Sequence, residues 1–291
     1  MEPTDWPAAQ FQAHRTHLRA VAYRMLGSLT EADDAVQETW LRLTRTETDD
    51  VRNMRGWLTT VVSRICLDML RARATRREDT LDDVHVPDPV VTVPGDDPEE
   101  QAVLADSVGL ALLVVLDTLS PAERLVFVLH DVFGVPFDQI GPIVDRSPAA
   151  AKQLASRARH RLRGTSSRVP SADPAAQREV ADAFLAAARQ GDFDGLLAVL
   201  DPSVVLRADA GSGPLGPSQL VRGATAVATQ AGRFARLARY ARPVLVNDGP
   251  GFLVARDGEP VALIGMTVRD GQIVEIDILA DPERLRRLVP S

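Results

Sequence analysis

Between Arg146 and Arg168 the chain carries seven cations, Arg146, Lys152, Arg157, Arg159, Arg161, Arg163 and Arg168, and no acid. A phosphate backbone is the natural partner of such a run. Spacing narrows the chemistry further. Lys152, Gln153, Ser156 and Arg157 fall at i, i+1, i+4 and i+5 on one face of a helix, while Leu154, Ala155, Ala158 and Leu162 can pack inward. Lys, Arg and Gln side chains have the donor and acceptor geometry that reads base edges in a major groove. Arg159, Arg161 and Arg163 are better placed to meet phosphates, which fixes position without reading sequence. The competing reading is a solvated basic face on a bundle helix. Context argues against it: Phe137 to Val144 and Pro148 to Leu162 read as two helices joined by Asp145-Arg146-Ser147, with Ser147 as a cap, and this is the helix-turn-helix pattern.

Two further sets of residues share helical faces. Asp34, Gln37, Glu38 and Leu41 lie at i, i+3, i+4 and i+7, a mixed polar and apolar stripe suited to lying on a partner's coiled coil, against the plainer reading of a solvated edge beside a core helix. Arg64, Asp68 and Arg71 share a face by the same arithmetic, and the turn Asp49 to Met54, which includes Asn53, precedes their helix. Catalytic groups are sparse. Residues 169 to 291 contain no His and no Cys, so only carboxylates such as Asp209, Glu275 and Asp277, and Tyr240, could move a proton there, and a lone carboxylate on a strand or loop is more often structural. One cysteine, Cys66, and five histidines in the whole chain exclude a disulfide scaffold and a multi-cysteine metal site. No catalytic residue, metal or cofactor is expected.

The elements that must position these residues follow from composition and periodicity. The chain has 291 residues, 45% hydrophobic and 25% charged, enough for two or three domains with cores of their own. No apolar run reaches the roughly 20 residues of a membrane helix, and Met1-Glu2-Pro3-Thr4-Asp5 lacks the order of a signal peptide, so the protein is expected in the cytoplasm and away from membranes. A formal net charge of -7 argues against nucleic acid only if it is evenly spread, and it is not. Residues 1–78 sum to +1, residues 79–106 to -9 with no base, residues 107–168 to +3 and residues 169–291 to -2. The acidic segment also holds Pro87, Pro89, Pro94, Gly95 and Pro98, a composition that orders only on contact or stays a tether.

Residues 1–78 show apolar residues at helical spacing through Leu18 to Leu26, Ala35 to Leu43 and Trp57 to Leu70, an all-α module of three or four helices. Residues 107–168 form a second all-α module, in which a helix from about Val103 to Leu119 is followed by Ser120-Pro121-Ala122-Glu123, a serine N-cap with Pro and Glu inside it, opening a helix to about Phe133-Gly134. From 175 to 291 the pattern becomes α+β: a helix from Val180 to Arg189, then strands at Val244 to Val246, Phe252 to Arg256, Val261 to Val268 and Ile273 to Leu279, with Asn247-Asp248-Gly249, Asp257-Gly258 and Asp270-Gly271 as turns. The expected sheet is curved and antiparallel.

Leu119-Ser120-Pro121-Ala122-Glu123-Arg124 through Arg157-Ala158-Arg159-His160-Arg161-Leu162 resembles the -35-binding domain of extracytoplasmic-function (ECF) sigma factors, in the sigma-70 family. Separately, Ala32-Asp33-Asp34-Ala35-Val36-Gln37-Glu38-Thr39-Trp40-Leu41-Arg42-Leu43 resembles the sigma-2 helix that docks on the clamp coiled coil of RNA polymerase, and Arg55-Gly56-Trp57-Leu58 through Arg71 resembles the helix beside the -10 element. Residues 180 to 288 are similar to the SnoaL-like fold, a cone-shaped sheet around a pocket, fused to one subgroup of that family. Its linker, loop and terminal motifs have counterparts in Val86-Pro87-Asp88-Pro89, Asp209-Ala210-Gly211-Ser212-Gly213 and Ala280-Asp281-Pro282-Glu283-Arg284-Leu285.

The resemblance implies a transcription initiation factor with core RNA polymerase (clamp coiled coil and flap) and promoter DNA as partners. Asp34, Gln37, Glu38 and Leu41 would bind core enzyme; Asn53, Arg64, Asp68 and Arg71 the -10 element; Lys152, Gln153, Ser156, Arg157, Arg159 and Arg161 the -35 element. Asp209, Gly211, Gly213, Asp281, Pro282 and Leu285 would make regulatory contacts to the sigma-2 and sigma-4 modules, and the pocket is open to a small ligand. Any anti-sigma partner is left unidentified. Two rival classes remain at this stage: a helix-turn-helix repressor or activator with a sensor domain, which has no need of the Asp34-Gln37-Glu38 helix, and a SnoaL-type enzyme with a DNA-binding module, against which the absent His and Cys argue.

Overall fold

The computed structural model describes residues 5–46, 51–77, 84–92, 109–163, 173–211 and 216–289. The chain divides into two compact units, residues 1–81 with 115–165 and residues 82–114 with 166–291. The two helical modules read separately from the sequence therefore form one unit, and part of the acidic segment belongs to the other.

In the first unit α1 (Asp5–Leu26), α2 (Leu29–Leu43) and α3 (Met54–Arg77) form a three-helix bundle. Its core is the expected one, with Leu18, Val21, Met25, Ala35, Val36, Leu58, Val62 and Leu67 all buried. Ser28 caps α2 by accepting from the Glu31 N–H at 3.4 Å, and Gly27 at φ 70° supplies the left-handed residue that ends α1. The same unit holds the end of α4 (Leu110–Leu116), α5 (Pro121–Phe127), the short α6 (Phe137–Ile140) with a 3-10 turn at Gly141–Ile143, and α7 (Pro148–Arg163). The expected capping box at α5 is complete: Ser120 Oγ accepts from the Glu123 N–H, and the Glu123 carboxylate accepts from the Ser120 N–H at 3.1 Å. Beyond Phe127 the helix widens into a π-helical turn, Val128–Val132, rather than running on as α-helix to Gly134. Buried Arg124 pairs with Asp117 and donates from Nε and Nη2 to the Arg24 carbonyl of α1, tying α5 to the bundle.

In the second unit the sheet has seven strands in the order β1-β4-β5-β6-β7-β2-β3. These are β1 (Val91–Thr92), β2 (Leu200–Asp209), β3 (Gln219–Arg222), β4 (Ala241–Val246), β5 (Gly249–Arg256), β6 (Glu259–Arg269) and β7 (Gln272–Leu279). Five neighbour pairs are antiparallel, but β2 and β7 run parallel, so the sheet is mixed. The three turns read from the sequence are tight hairpins: Asn247 and Asp248, Asp257 and Gly258, and Asp270 and Gly271 all have positive φ, the pairwise requirement of a type I′ turn. Helices α8 (Pro174–Gln190), α9 (Phe193–Val199), α10 (Ala224–Arg233) and α11 (Ala235–Ala238) cover one face, packing Phe184, Leu196 and Val227 on Leu206, Phe252 and Ile276. The last helix, α12 (Pro282–Leu288), lies against β6.

Candidate nucleic-acid interface and linker clamp

The recognition surface is built by α6, the turn and α7. Gly141 makes the turn possible, since a Cβ there would sit 2.7 Å from the Arg146 carbonyl oxygen, and the Arg146 N–H donates to the Gly141 carbonyl at 2.9 Å. Asp145 takes the left-handed conformation at φ 55°, and Ser147 Oγ caps α7 by accepting from the Ala150 N–H at 3.2 Å. On α7 the division of faces is as the spacing requires: Lys152, Gln153, Ser156 and Arg157 are exposed, and Ala151, Leu154, Ala155, Ala158 and Leu162 are buried.

Arg159 and Arg161 of that helix pair with acids of their own unit, with Arg161 still 55% exposed. Arg159 Nη1 meets Asp131 at 2.8 Å, and Arg161 Nη1 donates to Glu123 Oε2 at 2.9 Å. Arg157 Nε lies 3.8 Å from Glu123 Oε1 but stays 65% exposed, so it remains available. The side chain of Arg163 lies outside the described residues.

On α2, Asp34, Gln37 and Leu41 are exposed and Glu38 is half-buried, where it accepts from Arg42 Nε at 3.1 Å. Leu41, at 38%, is one of three exposed large hydrophobic side chains among the described residues. On α3, Arg64, Asp68 and Arg71 share an exposed face, with Asp68 and Arg71 3.6 Å apart. Arg64 Nη2 donates to the Pro142 carbonyl at 3.3 Å. Asn53 is the cap of α3, its Oδ1 accepting from the Gly56 N–H at 3.0 Å; Asp49 and Asp50 lie outside the described residues.

The third set of residues converges on the linker. Arg284 donates from Nε and Nη2 to Asp88 Oδ1 at 2.9 and 2.6 Å, from Nη2 to the Val86 carbonyl at 2.6 Å and from Nη1 to Asp209 Oδ2 at 2.7 Å. The same Asp209 oxygen accepts from the Val86 N–H at 3.0 Å and faces His85 Nδ1 at 3.4 Å. Burial pushes the Asp209 carboxyl up, but the hydrogen bonds from His85 and the Val86 N–H and the charge of Arg284 outweigh it and hold it below the usual carboxylate range. Further along, Val90 and Asn247 exchange two hydrogen bonds at 3.0 and 2.9 Å, and Val91 and Thr92 pair with Val246 and Leu245.

Of the residues expected to bridge modules, Asp209 therefore turns its carboxylate to linker residues 85 and 86. Asp281 caps α12 through the Glu283 and Arg284 N–H groups and so aims Arg284, with Pro282 opening the helix and Leu285 fully buried beneath it. Gly211, at φ 48°, passes so close to the Asp281 carboxylate that no side chain fits; Gly213 lies outside the described residues. Sequence reasoning missed Arg284, Asp88 and His85 as site residues, although two of them stand inside the motifs quoted above.

The carboxylates Glu275 and Asp277, the candidates for proton transfer, alternate with Ile276 and Ile278 on β7 and meet Arg207 of β2 at 3.2 and 3.0 Å. They lie on the sheet face away from the cavity that Ile276 and Ile278 line. Among the described residues no group of three or more His, Cys, Asp or Glu side chains could hold a metal ion, and no helix is long and apolar enough to cross a membrane.

A helix-turn-helix in one unit with a three-helix bundle fits a sigma-70-type protein, and comparison agrees: residues 10–76 match sigma-70 region 2 and residues 109–162 match sigma-70 region 4. The probable ECF RNA polymerase sigma factor SigI of Mycobacterium tuberculosis is 37% identical over 98% of this chain and 97% of its own length. The ECF sigma factor SigJ of the same organism is 35% identical over 95% of this chain and 92% of its own length. The crystal structure of SigJ superposes with a TM-score of 0.76, covering 96% of this chain and 98% of that one. The chain belongs to the ECF RNA polymerase sigma factors, in a subgroup with a SnoaL-like C-terminal domain.

Proposed function

We propose that the chain directs core RNA polymerase to -35/-10 promoters, with Lys152, Gln153, Ser156 and Arg157 reading the -35 element. The observation that carries this is the clean division of α7, four base-reading side chain types exposed on one face and every apolar residue of the other buried. Asp34, Gln37, Glu38 and Leu41 dock on the polymerase clamp coiled coil, a role supported by an exposed leucine within a polar stripe. Arg64, Asp68 and Arg71 face the -10 element, with Asn53 ordering the turn before them. Arg64 first releases the Pro142 carbonyl, a single exposed hydrogen bond and so a small cost. Binding, melting and positioning are the whole activity; the C-terminal domain is regulatory, acting through its hold on linker residues 85–92, and the protein works in the cytoplasm.

Transcription in vitro with purified core enzyme on a genomic fragment library tests this reading. Discrete start sites that depend on the added chain are expected, and Asp34→Lys with Glu38→Lys should remove both transcription and core-enzyme pulldown while leaving α2 helical. A chain that binds DNA specifically but neither retains core enzyme nor starts transcription would be a helix-turn-helix repressor instead.

A further inference from the structure

The second unit holds a partly open cavity of about 120 Å³, bounded by the inner faces of β2, β5, β6 and β7 and by α8, α10 and α11. One water needs about 10–15 Å³, and a cavity of about 150 Å³ admits benzene. The space exists because eight of its lining residues are alanines, among them Ala188, Ala208, Ala262 and Ala280, where larger aliphatic side chains would close it. An empty cavity lowers stability in proportion to its volume, so an unfilled one of this size works against the fold that keeps it.

Its chemistry is one-sided. Gln219 and Gln230 are the polar side chains among the lining residues, both uncharged, and the rest of the wall is aliphatic, aromatic or Pro217. On β2 and β7 the strand alternation sends the charges the other way: Arg207 and Asp209 of β2, and Glu275 and Asp277 of β7, sit on the opposite face, where they pair with one another or with the clamp. A ligand carboxylate or ammonium entering the cavity would lose its water and meet no counter-charge among the described lining residues. We propose that this cavity binds a neutral, apolar small molecule, a single aromatic ring or a medium-length aliphatic chain, and that the linker clamp senses its presence.

The second step rests on the regulatory reading of the C-terminal domain and follows from adjacency. Ala208 and Ala210 line the cavity on either side of Asp209, and Ala280 lines it immediately before Asp281; the Ala280 N–H donates to the Asp209 carbonyl at 2.7 Å. Pressure on these three alanines therefore moves the backbone that carries the Asp209 carboxylate and aims Arg284, the two groups that hold Val86 and Asp88.

A matched pair of single-ring probes, read by isothermal titration calorimetry, tests the site in the full chain: neutral toluene and its anionic relative benzenesulfonate. Saturable binding of the neutral probe is expected, at least 10-fold tighter than that of the sulfonate, with displacement by 1-octanol and not by octanoate. Ala188→Leu and Ala262→Leu should each weaken the neutral probe at least 10-fold; the wild-type displacement decides the matter where a filled variant does not fold. No saturable binding of the neutral probe, equal binding of both probes, or binding untouched by filling in a folded variant would overturn the assignment. Amide exchange at Val86 and Val90 should change at least 3-fold when the probe is bound. Unchanged exchange overturns the sensing step and leaves the site standing. None of these readouts uses transcription, so their failure is separable from failure of the proposed function.

Discussion

Replacing Arg284 with methionine keeps most of the apolar stem and removes one guanidinium that holds two carboxylates and a carbonyl. Asp88 and Asp209 are only 9% and 11% exposed at their side chains, so the variant leaves two poorly hydrated carboxylates without the guanidinium that they share. Removing one partner from a buried ion pair costs roughly 3–5 kcal/mol where both ions stay buried. Here the linker can swing away and rehydrate Asp88, which sets a lower figure, about 3 kcal/mol, as the loss of linker docking. That corresponds to on the order of a 100-fold rise in the open population of residues 85–90. Amide exchange reports it directly, because the Val86 N–H donates to Asp209 and the Val90 N–H to Asn247. Both amides should lose about two decades of protection in the Arg284→Met variant, while buried amides of β6 and β7 keep theirs. A change below 3-fold at Val86 would refute the clamp as the element that holds the linker. Acid offers a second handle on the same contact. With its carboxyl held below the ordinary carboxylate value, Asp209 contributes stability that is present above that value and is lost as pH falls through its lowered pKa, with His85, Asp88 and Arg284 the charged or titratable groups facing it.

Arg157→Ala should weaken binding to a cognate -35 sequence by about 1–3 kcal/mol while leaving nonspecific binding nearly unchanged, as measured by fluorescence anisotropy on matched and scrambled duplexes. An equal loss on every duplex would make Arg157 a phosphate contact. His17 of α1 is held near a pKa of about 4 by burial and by the neighbouring Arg55, His14 and Arg24, with Arg55 Nη2 donating to its Nδ1 at 3.4 Å. Because unfolding releases it to about 6.5, the folded state should lose stability as pH falls from about 6.5 to about 4, and His17→Gln should flatten urea midpoints across that window. Parallel curves for the two proteins would show that His17 titrates alike in both states.

Amphipathic periodicity made α1 to α3 and α7 legible, because each buries one face in its own unit and so must repeat its apolar residues every three or four positions. Asn-Asp-Gly and Asp-Gly made the hairpins legible, because few other residues accept the positive φ they need. What escaped was set by tertiary partners. β1 is two residues of a proline-bearing acidic segment that becomes a strand because β4 offers an edge, the order-on-contact behaviour its composition allowed. β2 begins Leu200-Asp201-Pro202, which reads as the end of a helix, and its parallel partner β7 is more than 60 residues away in sequence. β3 has four residues and no run of β-branched ones, and α10 is alanine-rich between two short segments. The clamp was hardest, since the Arg284–Asp88 contact joins residues 196 apart, and nothing local to either marks the other.

Glu123 links the capping chemistry of α5 to the surface proposed to meet DNA. Its carboxylate is 5% exposed and already accepts from the Ser120 N–H and Oγ, so its charge is fixed in place before any DNA arrives. From there it holds Arg161 at 2.9 Å, while Asp131 holds Arg159. An arginine leaving such a pair for a phosphate exchanges one anion for another, and for Arg161 the exchange leaves a buried carboxylate short of a partner. The seven cations and no acid counted along Arg146 to Arg168 thus overstate the charge that DNA meets, because folding brings acids of α5 and the π-helical turn up to the same helix. Arg159 and Arg161 are thus paired with acids of their own unit, and on the proposed reading base reading falls to Lys152, Gln153, Ser156 and Arg157.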